Sequence, residues 1–71
     1  MTIELRMADG EGALERLLQA LRRRGVRLGR LAVVREPGGF RVTLEGEGRD
    51  PVSVLALLSR LHDVLEARHA A

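Results

Sequence analysis

Seventy-one residues make one domain at most, with a small core, because a chain of this size buries only about 60% of the surface its unfolded form exposes. The absence of Cys excludes disulfides, thiolate metal sites and cysteine nucleophiles, and a single Phe with no Trp or Tyr argues against aromatic base-stacking platforms. The net charge of +2 hides a segregation: all twelve basic residues are Arg, and seven of them lie within residues 16–35 with no acid among them, while the rest of the chain sets five Arg against ten acids.

Residues 2–7 alternate, with Ile3, Leu5 and Met7 on one side and Thr2, Glu4 and Arg6 on the other. Period two predicts a half-buried strand. Asp9-Gly10-Glu11-Gly12 breaks it, and Leu14, Leu17, Leu18 and Leu21 follow at helical spacing. Asp9 or Gly10 is the expected N-cap. Gly25 is the expected stop, with Arg22, Arg23 and Arg24 in the last turn, where cations suit the negative end of the helix dipole.

Residues 28–36 read as a second strand, with Leu31 and Val33 facing inward. Pro37-Gly38-Gly39 is a turn signal, and Phe40, Val42 and Leu44 alternate with Arg41, Thr43 and Glu45 to complete a hairpin. Residues 46–49 read as a loop. Asp50-Pro51 opens a second helix with a capping carboxylate and a proline at the first helical position, and Val54, Leu57, Leu58 and Leu61 form its apolar stripe. That helix ends near His62-Asp63. Residues 64–69 then read as a fourth strand in preference to a helical extension.

The order is therefore βαββαβ over a single domain, residues 1–71. Each helix has one apolar stripe and each strand one apolar face, so the expected fold is α+β: a ferredoxin-like sandwich with two helices on one face of a four-stranded antiparallel sheet. The other face would carry Glu4, Arg6, Arg41, Thr43 and Glu45 as a solvated charge ladder. In that topology the second strand is an edge, and an unprotected edge invites pairing. Leu28, Arg30, Ala32 and Val34 mark the expected homodimer edge. No apolar run approaches the ~20 residues of a membrane span, and the N-terminus has no signal-peptide apolar region, so no membrane partner and a cytoplasmic location are expected.

Asp9, Gly12, Leu14, Gly25, Leu28 and Leu31 fall without a gap on the pattern of the ACT domain, a small-molecule-sensing βαββαβ module: an acidic residue, two variable positions, Gly-x-Leu, a helix ending near Gly, and a strand with apolar residues three apart. The chain resembles that family over nearly its whole length. Within it, residues 13–18 followed by Arg22-Arg23-Arg24-Gly25 resemble the short, single-ACT regulatory subunits of acetolactate synthase. Arg27 stands where the family often has Asn, and Glu11 where it often has Pro.

The resemblance implies a non-catalytic, dimeric regulatory subunit that docks on a large catalytic subunit. That enzyme, of branched-chain amino acid biosynthesis, uses thiamine diphosphate, Mg²⁺ and FAD, none of which this chain should bind. The effector would be an amino acid, a branched-chain one for that subunit type. It would be enclosed by Asp9, Gly10, Glu11, Gly12, Ala13 and Leu14 of one subunit and by Arg27 of the other. Arg27 either grips the effector carboxylate with a bidentate contact or fills the site with its bulk. Arg22, Arg23 and Arg30 are the expected docking surface for the catalytic subunit.

Residue chemistry alone leaves blander readings beside these. Gly10 and Gly12 would also serve a simple tight turn. The Arg run would also serve as a solvated helix end, which is favoured over nucleic-acid binding because Phe40 faces the core. His62 and His69 lack the partners of a metal site, and Ser53 and Ser59 lack a base. The alternatives are a free-standing ACT-like amino-acid sensor and, behind it, an RNA-binding ferredoxin-like protein.

Overall fold

The computed structural model describes residues 1–48 and 50–70; Arg49 of the expected loop and Ala71 lie outside them. The chain runs β1 (Thr2–Ala8), α1 (Ala13–Arg23), β2 (Arg27–Glu36), β3 (Gly39–Glu47), α2 (Pro51–Ser59) and β4 (Val64–Ala70). The four strands form one sheet in the order β2-β3-β1-β4, and every neighbouring pair is antiparallel. This is the ferredoxin-like arrangement, with residues 64–70 as a strand and β2 at an edge.

Alternation decides the faces. Ile3, Leu5 and Met7 of β1 and Phe40, Val42 and Leu44 of β3 are buried and stand opposite one another as Ile3↔Leu44, Leu5↔Val42 and Met7↔Phe40. Ala13, Leu17 and Leu21 of α1 and Val54 and Leu58 of α2 close over them to form one core. Leu18, expected in the stripe of α1, is 39% exposed; the small side chains of Ala13 and Ala20 take up buried positions on that helix instead.

Both helix ends follow from local chemistry. Gly25 has φ +73, and its N–H donates to Arg22 O while that of Val26 donates to Leu21 O, 3.0 Å each. This is a Schellman motif, and Val26 and Leu21, the residues at its two ends, are both buried in the core. At α2, the Asp50 carboxylate accepts from Ser53 N (3.2 Å) and from the Ser53 hydroxyl (2.7 Å). Those two bonds, the hydroxyl's first, hold the Asp50 carboxyl below its ordinary pKa. The start of α1 departs from expectation. Its N-cap is Gly12, in the left-handed region at φ +74 and with no side-chain cap; Asp9 and Gly10 lie earlier in the loop, and the Asp9 carboxylate is engaged elsewhere.

Two further expectations need correction. Residues 46 and 47 belong to β3 and not to a loop, because Gly46 exchanges hydrogen bonds with Met1 (3.0 and 2.8 Å) and pairs with Leu28. Leu31 and Val33 do lie on the helix-side face, opposite Leu44 and Val42. Leu31 is only half-buried, however, and Val33 is 42% exposed, because the edge strand extends past the two helices. On the open face, Arg6–Glu66, Arg68–Glu4, Arg30–Glu45 and Arg41–Glu36 pair at 3.7, 3.0, 3.9 and 2.6 Å, the charge ladder read from the alternation.

Candidate functional site

The segment after β1 is tethered on both sides. It emerges between two strands and must turn within residues 9–12 to start α1. On one side, Ala8 N donates to Asp63 O (2.8 Å) in the turn between α2 and β4; on the other, Asp9 N donates to Gly38 O (3.3 Å) in the β2–β3 turn. The Asp9 carboxylate takes Arg35 Nη1 at 2.9 Å, and the same guanidinium lies over the Phe40 ring, 5.2 Å from its centroid.

The loop's underside rests on Asp63, the one buried charged residue among the described residues, at 5% exposure. Arg16 reaches back from α1 and donates from Nε to its Oδ2 at 2.8 Å, with Nη2 2.7 Å from the same oxygen. The same Nη2 donates to Glu11 O (2.9 Å). Gly10 lies so close that a Cβ there would stand 2.7 Å from Asp63 Oδ1. A charge-assisted hydrogen bond of this kind is among the stronger polar interactions available, and here it joins the loop, α1 and the α2–β4 turn in one cluster. Neither Arg16 nor Asp63 was singled out from the sequence. They are 47 positions apart, so no local pattern connects them.

At the top of the loop, Ala13 N donates to Gly10 O (3.1 Å) and Arg16 N to Gly12 O (3.0 Å). Among the described residues no backbone acceptor outside the helix and no side-chain cap takes the N–H groups of Leu14 and Glu15. They form the positive end of the α1 dipole, a setting that suits a carboxylate.

Asp9, Gly10, Glu11, Gly12, Ala13 and Leu14 are thus contiguous in space, whereas Arg27 is not with them. It opens β2 opposite Glu47, at the Met1 end of the sheet, while the loop sits at the Glu36 end. An open groove of about 600 Å³ lies beside Arg27, lined by Met1, Thr2, residues 27–30 and residues 45–47. A single chain therefore carries the two halves of the expected site at opposite ends of one edge strand. Arg22 and Arg23 are exposed on the last turn of α1. A second cleft of about 210 Å³ on the open face is walled by Glu4, Arg6, Arg41, Glu66 and Arg68, all of them in the ion pairs given above.

The two serines serve structure. Ser53 completes the α2 cap, and Ser59 Oγ donates to Leu55 O (2.9 Å) within its own helix. Among the described residues no group of His, Cys, Asp and Glu is arranged to hold a metal, and no helix is long and apolar enough to cross a membrane. No curated protein matches the chain. A family model described as ACT domain matches residues 9–67, from the β1–α1 loop into β4.

Proposed function

The chain belongs to the ACT domain family, and from that premise we propose that it is the non-catalytic small subunit of acetolactate synthase, regulating a large thiamine diphosphate-dependent catalytic subunit in the cytoplasm. A regulatory, amino-acid-binding role is the coarse reading that membership carries. The finer one is supported by residues 13–18 and by Arg22-Arg23-Arg24-Gly25, which resemble that subunit type.

The observation that carries the site is the loop of residues 9–14. A left-handed Gly12 launches α1 without a side-chain cap, so the helix start is left open for an effector carboxylate. In this reading the subunit is a homodimer through the β2 edge, since that pairing is what brings Arg27 of one chain to the loop of the other. A branched-chain amino acid bound there would act through its differential affinity for two arrangements of the complex. Arg22, Arg23 and Arg30 would dock on an acidic surface of the catalytic subunit, where charge complementarity chiefly sets register and association rate.

The test is co-expression with a large acetolactate synthase subunit, followed by co-purification and an activity assay with and without valine, leucine and isoleucine. A stable complex with altered activity is expected. Failure of any such subunit to bind or to respond would overturn the assignment.

A further inference from the structure

The hydrogen-bond phase of the sheet fixes which backbone groups of β2 face the open edge. On the β1 side, Gly46 exchanges both bonds with Met1, and Gly38 O accepts from Asp9 N. Even-numbered residues of this hairpin strand therefore point at β1, and by alternation Gly39, Arg41, Thr43 and Glu45 point at β2. Their partners Glu36, Val34, Ala32 and Arg30 spend their polar groups inside the sheet. The N–H and C=O groups of Leu31, Val33 and Arg35 point out of it, unpaired by any strand because β2 is terminal.

The regular part of this edge is bounded. The register with β3 shifts between Leu28 and Arg30, so Gly29 is a bulge, and the strand stops at Glu36 before the Pro37-Gly38 turn. The other edge is a poorer template, because the β4 register with β1 breaks between Arg6 and Met7. Of the β2 side chains, Val33 and Val34 are 42% and 59% exposed.

From this we infer the register of the homodimer: a second copy pairs antiparallel along residues 30–36 with Val33 on the two-fold axis. The inference rests on the homodimer reading above and deepens it. Two independent observations select the register. A strand bounded at residues 30 and 36 overlaps its own copy over the full length only when the axis passes through residue 33. In that register, and not in those shifted by a residue along each strand, Arg30 falls opposite the partner's Glu36. Arg30 already lies against Glu45, and Glu36 against Arg41, so charges alternate in sign across the junction, twice by symmetry. Opposite charges placed directly across strands favour pairing, and like charges oppose it.

The phase of the free groups fits the same register. Val33 exchanges both backbone bonds with the partner's Val33, and Leu31 does so with the partner's Arg35. Ala32 and the partner's Val34 become a close, non-hydrogen-bonded pair on the open face. Past the bulge, Arg27 comes level with the partner's Pro37-Gly38 turn, which holds the loop at Asp9 N.

Single-cysteine variants separate the possibilities, since the chain has no thiol of its own. Ala32→Cys and Val34→Cys, both at exposed positions, are purified with tags of different size, then oxidised mildly alone and as an exchanged mixture. Native mass is measured by sedimentation. A disulfide in the mixture and in neither variant alone is expected, because the non-hydrogen-bonded spacing suits one. Cross-linking of Ala32→Cys alone, or of Val34→Cys alone, would show a shifted register and overturn the inference while leaving the homodimer. A dimer without any cross-link would overturn pairing at this edge. A monomer would overturn the homodimer reading itself.

Discussion

Arg16 and Asp63 form a hydrogen-bonded ion pair in which the carboxylate is buried and the guanidinium is half exposed, with side-chain exposures of 7% and 49%. That asymmetry predicts unequal costs. Arg16→Met strands a buried carboxylate and releases Glu11 O, for a loss of about 1–3 kcal/mol. Asp63→Asn removes the charge that needed a partner, and Arg16 can turn to water, so its cost is smaller. Urea unfolding of both variants checks the order. The reverse order would mean that the turn, and not the pair, holds the loop.

Gly39 is required for a steric reason and not for its torsion angle, since its φ is not among the positive ones. It pairs with Ala8 where β1 and β3 come together, and a Cβ there would run into the Met7 carbonyl. A backbone atom cannot swing aside as a side chain can. Gly39→Ala is expected to cost about 1–3 kcal/mol or more, read as a fall in midpoint denaturant concentration. Gly25→Ala meets no neighbouring atom, so its loss reports the left-handed angle alone.

The cap at Asp50 sets an acid limit. Its folded carboxyl titrates below the ordinary value of 3.8, through the Ser53 hydroxyl first and the Ser53 N–H second. A depressed folded pKa means that the cap contributes fully above pH 3.8 and loses its contribution as the pH falls from there through the lower folded value. The difference in melting temperature between the parent protein and Asp50→Ala should therefore be largest near neutrality and narrow below pH 3.8. A difference that stays constant down to pH 2 would mean that the charge plays no part.

Effector binding has a sharp test in two variants at opposite ends of the sheet. Gly12→Asp forces a side chain onto φ +74, places its Cβ 3.1 Å from Arg16 Nη1 and sets a negative charge where a ligand carboxylate would sit. Arg27→Ala leaves the core untouched. Each is expected to weaken calorimetric binding of the best of valine, leucine and isoleucine by at least about tenfold, or ~1.4 kcal/mol, with circular dichroism confirming the fold. Binding that survives both would show that the site lies elsewhere.

Much of the fold was legible because its signals are local. Alternation at Ile3, Leu5 and Met7, and at Phe40, Val42 and Leu44, marked the sheet's inner face, and Asp50-Pro51 and Gly25 marked helix boundaries with chemistry contained in a few residues. The errors came where distant parts decide. The start of α1 was misplaced because Gly12 needs no capping side chain when Arg16 and Asp63 hold the loop from below. Val33 kept its predicted face but not its burial, because alternation says which way a side chain points and not how far the helices extend over it. Asp63 was read only as part of a helix end because its partner Arg16 is remote in sequence. The two halves of the proposed site came from the family resemblance, and the placement of residues 9–14 and Arg27 at opposite ends of β2 is what the structure adds.

Thr2 and Ala70 are direct partners on neighbouring strands, so their Cα atoms lie about 5 Å apart. A short linker joining them, with new ends cut at the exposed Pro37-Gly38 turn, would reorder the elements without changing a single strand neighbour. The β4–β1 pair, now closed only after most of the chain is made, would become a hairpin, and the β2–β3 pair, now a hairpin, would become the most distant closure. Such a rearranged chain should keep the same native core while folding by a different route, and its folding rate would report which of these two closures nucleates the sheet.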